Sequence, residues 1–132
     1  MHRSAILNVK YIEVRCSGKR GETMDAHIRK VYVPMTETGF FILLCLRNEC
    51  HGYHIVKEVE ALTNGEIRIT PGTLYGSLSK MEKDGLIKFI RGEQKRKIYV
   101  ITELGREVLE LEVRRIRRLN DTIQEVFDNE TQ

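Results

Sequence analysis

From residue 34 onward the spacing of apolar positions divides the chain into distinct segments. Pro34 closes an extended stretch, and Thr36 is a good helix N-cap. Phe40, Leu43, Leu44 and the stem of Arg47 then recur every three or four residues, which predicts a first helix over about 36–47. Phe41, Ile42, Cys45 and Leu46 fill the rest of its circumference. A helix apolar nearly all round must be covered on several sides. Asn48–Gly52 reads as a short connection. Ile55, Val56, Val59 and Leu62 give a second helix over about 53–63, stopped by Asn64-Gly65. After a brief extended link, Thr70-Pro71 places an N-cap beside a proline at the first helical position. Leu74, Leu78 and Met81 form the buried stripe of this third helix, which ends at Asp84-Gly85. The pattern then alternates. Leu86–Arg91 and Lys97–Ile101 read as two strands joined at Gly92-Glu93-Gln94. Thr102 caps a long final helix over roughly 103–127.

Three helices, a hairpin and a long helix predict a fold that is mainly α with a small β-hairpin. The layout is a winged helix-turn-helix over 34–101, a C-terminal dimerisation helix over 102–132, and an N-terminal extension over 1–33. The extension fits poorly with the rest. Ile6, Leu7, Val9, Tyr11, Ile12 and Val14 would make a strand with nothing nearby to pair with. Lys19-Arg20-Gly21-Glu22-Thr23 could be encoded by a purine-rich ribosome-binding sequence just ahead of Met24. Met24 would then be the native start and residues 1–23 a mis-assigned leader; a disordered basic arm is the alternative.

Bulk properties narrow the class. A chain of 132 residues with 41% hydrophobic and 31% charged residues suits one compact domain and one appended element. No apolar run reaches the roughly 18 residues of a membrane span, and the N-terminus does not read as a signal peptide. Three cysteines, Cys16, Cys45 and Cys50, make no secreted disulfide framework and fit a reducing cytoplasm. Net charge is only +3, but it is unevenly spread. Residues 102–132 carry five Lys/Arg against eight Asp/Glu, so the basic excess lies upstream.

Two segments point to double-stranded DNA. With Leu74, Leu78 and Met81 inward, the third helix turns Gly72, Thr73, Gly76, Ser79, Lys80 and Lys83 outward, with Thr70 at its cap and Tyr75 and Ser77 on its flanks. Small residues in the leading half allow close approach to base edges in the major groove. Each glycine weakens the helix by up to about 1 kcal/mol relative to Ala, which argues for a close-approach role. Lys80 and Lys83 would reach phosphates. The hairpin carries Arg91, Lys95, Arg96 and Lys97 against Glu93 alone, a cationic wing suited to the adjacent backbone or minor groove.

The last helix carries Leu109, Val113, Ile116, Ile123 and Phe127 at near-heptad spacing, flanked by Leu119 and Val126. About 25 residues span roughly 37 Å, longer than a core of this size covers. A homodimer is expected, with Phe40, Phe41 and Leu44 of the first helix contributing. Arg114, Arg115, Arg117 and Arg118 would pair with Glu103, Glu107, Glu110 or Glu112, in cis or across the interface; facing DNA is the alternative, disfavoured on a helix this acidic.

Four stretches carry a family resemblance: Phe41-Ile42-Leu43-Leu44; His51-Gly52-Tyr53; Thr70-Pro71-Gly72-Thr73-Leu74-Tyr75; and Lys97-Ile98-Tyr99 leading into Ile101-Thr102-Glu103-Leu104-Gly105. Pro34 to Thr102 resembles the PadR family of bacterial transcriptional regulators, in its short form with a single C-terminal helix. The resemblance implies a homodimeric repressor on an inverted-repeat operator, with Thr73, Tyr75 and the wing cations touching DNA. It also implies release by a small hydrophobic or aromatic effector. Some relatives hold planar drugs between paired tryptophans, and the absence of Trp here counts against that mode.

Other classes fare worse. Cys45, Cys50, His51 and His54 are close in sequence, but Cys45 lies in an apolar helix where a thiol acts as a small hydrophobe. No metal and no cofactor are expected. A winged helix that binds only protein would not need the cationic wing. No phosphate loop or activated nucleophile marks an enzyme.

Overall fold

The computed structural model describes residues 24–130. Its elements in order are α1 (Ala26–Tyr32), α2 (Glu37–Cys45), β1 (Cys50–His51), α3 (Gly52–Leu62), α4 (Pro71–Lys83), β2 (Ile87–Glu93), β3 (Arg96–Ile101) and α5 (Glu103–Glu130). The predicted order of helices and hairpin is present. Strands β2 and β3 pair antiparallel, and β1 adds to the other edge of β3 through Cys50↔Tyr99 and His51↔Ile98. The core joins Ile42, Leu43 and Leu46 of α2 and its cap, Ile55 and Val59 of α3, Leu74, Leu78 and Met81 of α4, and Leu86, Ile87 and Ile101 around the hairpin.

Four features depart from the sequence reading. Part of the expected extension is a core element: Asp25 caps α1 by accepting the Ile28 N–H at 2.9 Å, and Ile28 and Tyr32 are buried. Burying a large apolar side chain contributes roughly 1.5–3 kcal/mol, so the folded unit begins well before residue 34. Residues 1–23, with the leader and strand expectations, lie outside the described residues. The connection Asn48–Gly52 contains a strand, because β3 offers it an unpaired edge.

The hairpin turns later than expected. Gly92 pairs with Lys97 inside the ladder, and the loop is Gln94-Lys95, both at positive φ (51° and 67°). A two-residue loop of this hand follows the twist of the strands, and this geometry prevails over the glycine signal at Gly92. Lastly, Leu44 and Leu109 are buried in the chain's own core, at 7% and 1% exposure, so neither offers a surface to a partner. Phe40, Phe41 and Val113 are half-buried against that core.

The start of α5 is locked onto the wing. Thr102 donates its hydroxyl to the Gly85 carbonyl at 2.6 Å and accepts the Gly105 N–H at 3.1 Å. A Cβ on Gly105 would run into the Leu86 carbonyl oxygen. Further along, buried Glu112 accepts the Met35 N–H at 2.9 Å and two bonds from Arg115, each 2.9 Å. Arg114 pairs with Glu110 at 2.6 Å, so the expected pairing with these glutamates is present within the helix for Arg114 and Arg115.

Candidate nucleic-acid interface

Helix α4 is anchored at its start by Thr70. The Thr73 N–H donates to Thr70 Oγ1 at 3.3 Å, and the Thr70 hydroxyl donates to Thr73 Oγ1 at 3.1 Å. That leaves the Thr73 hydroxyl hydrogen able to donate elsewhere. The predicted outward residues Gly72, Thr73, Gly76, Ser79, Lys80 and Lys83 are exposed, as are Thr70 and Tyr75, while Ser77 is half-buried. A Cβ added at Gly72 or Gly76 would meet nothing within 4 Å. These glycines therefore serve no packing within the described residues.

Helix α3 presses its first turn against α4. A Cβ on Gly52 would lie 2.9 Å from Leu74 Cδ2 and 3.3 Å from the Tyr75 ring, so any larger residue there would have to displace these side chains. His51 caps α3, accepting the His54 N–H on Nδ1 at 3.2 Å. Between α3, α4 and the wing lies a cavity of about 350 Å³, lined in part by His51, Tyr53, Tyr75, Ser79, Lys95 and Arg96. Tyr53 is 55% exposed and Tyr75 57%. Lys57 Nζ lies 5.2 Å and the Arg96 guanidinium 5.4 Å from the Tyr53 ring centroid, both within cation–π range.

The cations are not equivalent. Arg91 donates to Glu49 at 2.9 Å and to Glu93 at 3.2 Å. These bonds hold its pKa above the ordinary arginine value, chiefly through Glu49. Lys80 pairs with Asp84 at 3.4 Å and lies over the Tyr32 ring. Among the described residues, Lys83, Lys95 and Lys97 pair with no carboxylate. The fold thus brings Thr70, Gly72, Thr73, Tyr75, Gly76 and Ser77 onto one helix, with Lys95, Arg96 and Lys97 across the cavity from it. It ties Arg91 and Lys80 to acids on the way. His51, Tyr53 and Lys57 were missed as site residues. The His-Gly-Tyr stretch was visible in the sequence, but nothing local shows that β1 carries it to the wing.

The thiols have a different setting. Burial first, then the neighbouring Cys50 and Glu58, pushes the Cys45 thiol up to about 12; burial and Glu58 push Cys50 up to about 11. Among the described residues no group of three or more His, Cys, Asp or Glu side chains is arranged to hold a metal ion. No helix among them is long and apolar enough to cross a membrane.

The model of the transcriptional regulator PadR-like family matches residues 42–111, from α2 through the first third of α5. The chain belongs to the PadR-like family of transcriptional regulators. Among curated proteins it is similar to the transcriptional regulator YqjI of Escherichia coli K12, 30% identical over 110 residues that cover 83% of this chain and 52% of that protein. The chain thus spans about half the length of that relative. Among solved structures it is similar to a PadR family transcription regulator from Clostridium difficile, with 26% identity, a TM-score of 0.59, and coverage of 70% of this chain and 99% of that one. It is also similar to a PadR family transcriptional regulator from Eggerthella lenta, with 25% identity, a TM-score of 0.55 and 95% of each chain covered. These PadR-like relatives are transcriptional regulators rather than enzymes. The span matched by the PadR-like model contains both the α3–α4 pair and the whole wing.

Proposed function

We propose that this PadR-like chain binds double-stranded DNA in a sequence-specific manner as a homodimer. It acts in the cytoplasm as a repressor on an inverted-repeat operator and is released by a small hydrophobic or aromatic effector. The observation that carries the reading is the face of α4. Its glycines look onto open space, and Lys95, Arg96 and Lys97 of the wing stand beside it. A helix that leads with small residues can approach base edges, while the wing cations hold the flanking backbone. In this reading Thr70, Gly72, Thr73, Tyr75, Gly76 and Ser77 approach the groove, and Lys80, Lys83 and the wing take phosphates.

The dimer reading rests on α5. Ile116, Leu119, Ile123 and Val126 are 39%, 46%, 52% and 47% exposed and follow a 3-4-3 spacing, with Phe127 beside them. A second copy of α5 would cover such a row as the seam of a two-helix coil. Phe40 and Phe41, edge to face at 5.7 Å, and exposed Phe127 are the aromatic side chains that could line an effector pocket in the dimer.

The test is fluorescence anisotropy against DNA from directly upstream of the chain's own gene, with random duplex as control, at 50 and 200 mM salt. If six to ten phosphates are neutralised, affinity falls roughly 10³- to 10⁵-fold between the two salt concentrations. Lys95→Glu with Arg96→Glu weakens binding to both DNAs, whereas Thr73→Ala relaxes preference for the upstream DNA. Equal weak binding of wild type to both DNAs would count against an operator in that DNA. No binding to either would leave a winged helix that binds protein.

A further inference from the structure

The imidazole of His51 has one nitrogen already committed. Nδ1 accepts the His54 N–H at 3.2 Å and so caps α3. A neutral imidazole carries a single ring hydrogen, and with Nδ1 accepting, that hydrogen sits on Nε2. His51 Nε2 lies 3.4 Å from Arg96 Nη1. A guanidinium only donates. Two donors therefore converge, and the pair needs an acceptor that both can reach.

The convergence is built in from several sides. The His51↔Ile98 pairing of β1 with β3 fixes the backbone beneath the histidine. The Tyr53 ring carries the Arg96 guanidinium, with Lys57 on the same ring. Glu93, the acid of the wing, is engaged by Arg91 at 3.2 Å. Desolvation first, then Arg96 and His54, hold the His51 pKa below the ordinary histidine value, while Glu93 raises it.

We propose that His51 Nε2–H and the Arg96 guanidinium form a two-donor seat for one backbone phosphodiester of bound DNA, at the junction of α3 and the wing. This rests on the DNA-binding reading above and adds a contact that the recognition helix does not make. The seat lines the same cavity as Tyr75 and Lys95, so one duplex laid along α4 would bring a phosphate to it. The dipole at the start of α3 favours the same negative charge. A phosphate oxygen there accepts from both donors and relieves their mutual repulsion.

Anisotropy with upstream and random duplexes tests this in four proteins: wild type, His51→Ser, Arg96→Ala and the double variant. Ser retains an N-cap and removes the imidazole donor. His51→Ser weakens binding to both duplexes roughly tenfold, as expected for one charge-assisted hydrogen bond, and leaves the salt slope unchanged. Arg96→Ala weakens both and lowers the slope by about 1. Because one phosphate serves both donors, the double variant binds no more than about twofold worse than Arg96→Ala. Losses that multiply, or a His51→Ser protein that binds like wild type, overturn the seat and leave DNA binding intact. A wild type that binds neither duplex overturns both readings. Nitrogen-15 NMR of the unbound protein adds a measurement independent of DNA. The Nε2–H tautomer of His51 is expected, and the Nδ1–H tautomer overturns the proposal even where the variants fold poorly.

Discussion

The Tyr32 hydroxyl donates to Asp84 Oδ2 at 2.6 Å, tying α1 to the residue that ends α4. Desolvation and this bond push the tyrosine pKa well above its ordinary value. The same bond, ahead of Lys80, holds the Asp84 carboxyl below its ordinary value. A carboxyl with a depressed folded pKa contributes stability above its unfolded pKa of about 3.9, and that contribution is lost as pH falls through the folded value. Tyr32→Phe lowers unfolding stability by about 1–3 kcal/mol at pH 7. It also flattens the acid limb of the stability curve, since Asp84 then approaches its unfolded behaviour. Urea titrations at pH 7 and pH 3 measure both effects, and an unchanged curve would contradict the tether.

Gly105 sits where the first turn of α5 crosses the Leu86 carbonyl. The added methyl of Gly105→Ala has backbone in its way rather than a flexible side chain. On an exposed helix this change would stabilise by up to about 1 kcal/mol. Here it should destabilise by about 1–3 kcal/mol or more, as overpacking does. Thermal unfolding of the variant decides the sign.

Separate stretches of α5 should respond differently to substitution. Leu119→Asp with Ile123→Asp places charges in the exposed apolar row and should yield folded monomers, seen as halved mass by sedimentation with the wing intact by NMR. Leu109→Ala lies inside the core and should instead cost about 2–5 kcal/mol of stability. Dissociation by the Leu109 change without loss of stability would show that the boundary between core and seam is misplaced.

Cys45 and Cys50 should be poor nucleophiles. With pKa values pushed up to about 12 and about 11, their thiolate fraction at pH 8 is lower than that of an ordinary thiol by two or more orders of magnitude. Peptide-level mass spectrometry after a short iodoacetamide pulse should find both unmodified in the native protein and alkylated in urea. Rapid native labelling would argue for a sensing role.

Much of the fold was legible because its signals are local. Thr36, Thr70 and Thr102 accept the N–H groups that their positions predict. The stripe Leu74, Leu78 and Met81 is buried, and the face opposite it is open. The wing cations were legible by charge, but not their partners. Arg91 meets Glu49 from 42 positions away, and no periodicity contains that distance. α1 was missed because seven residues are too few for a clear period, and its hold on the protein is the burial of Ile28 and Tyr32 together with the Tyr32–Asp84 bond across 52 positions.

Sequence alone therefore determined the helices from α2 onward, the hairpin, the outward face of α4 and the apolar row of α5. Caps, turns and 3.6-residue stripes act through neighbours along the chain. Tertiary structure decided which apolar residues the core consumes and which remain for a partner. It also decided which cations are already paired, and it set His51 beside Arg96. Those outcomes depend on which groups arrive at the same place, and the β1–β3 pairing that brings His51 to the wing joins positions 47 apart.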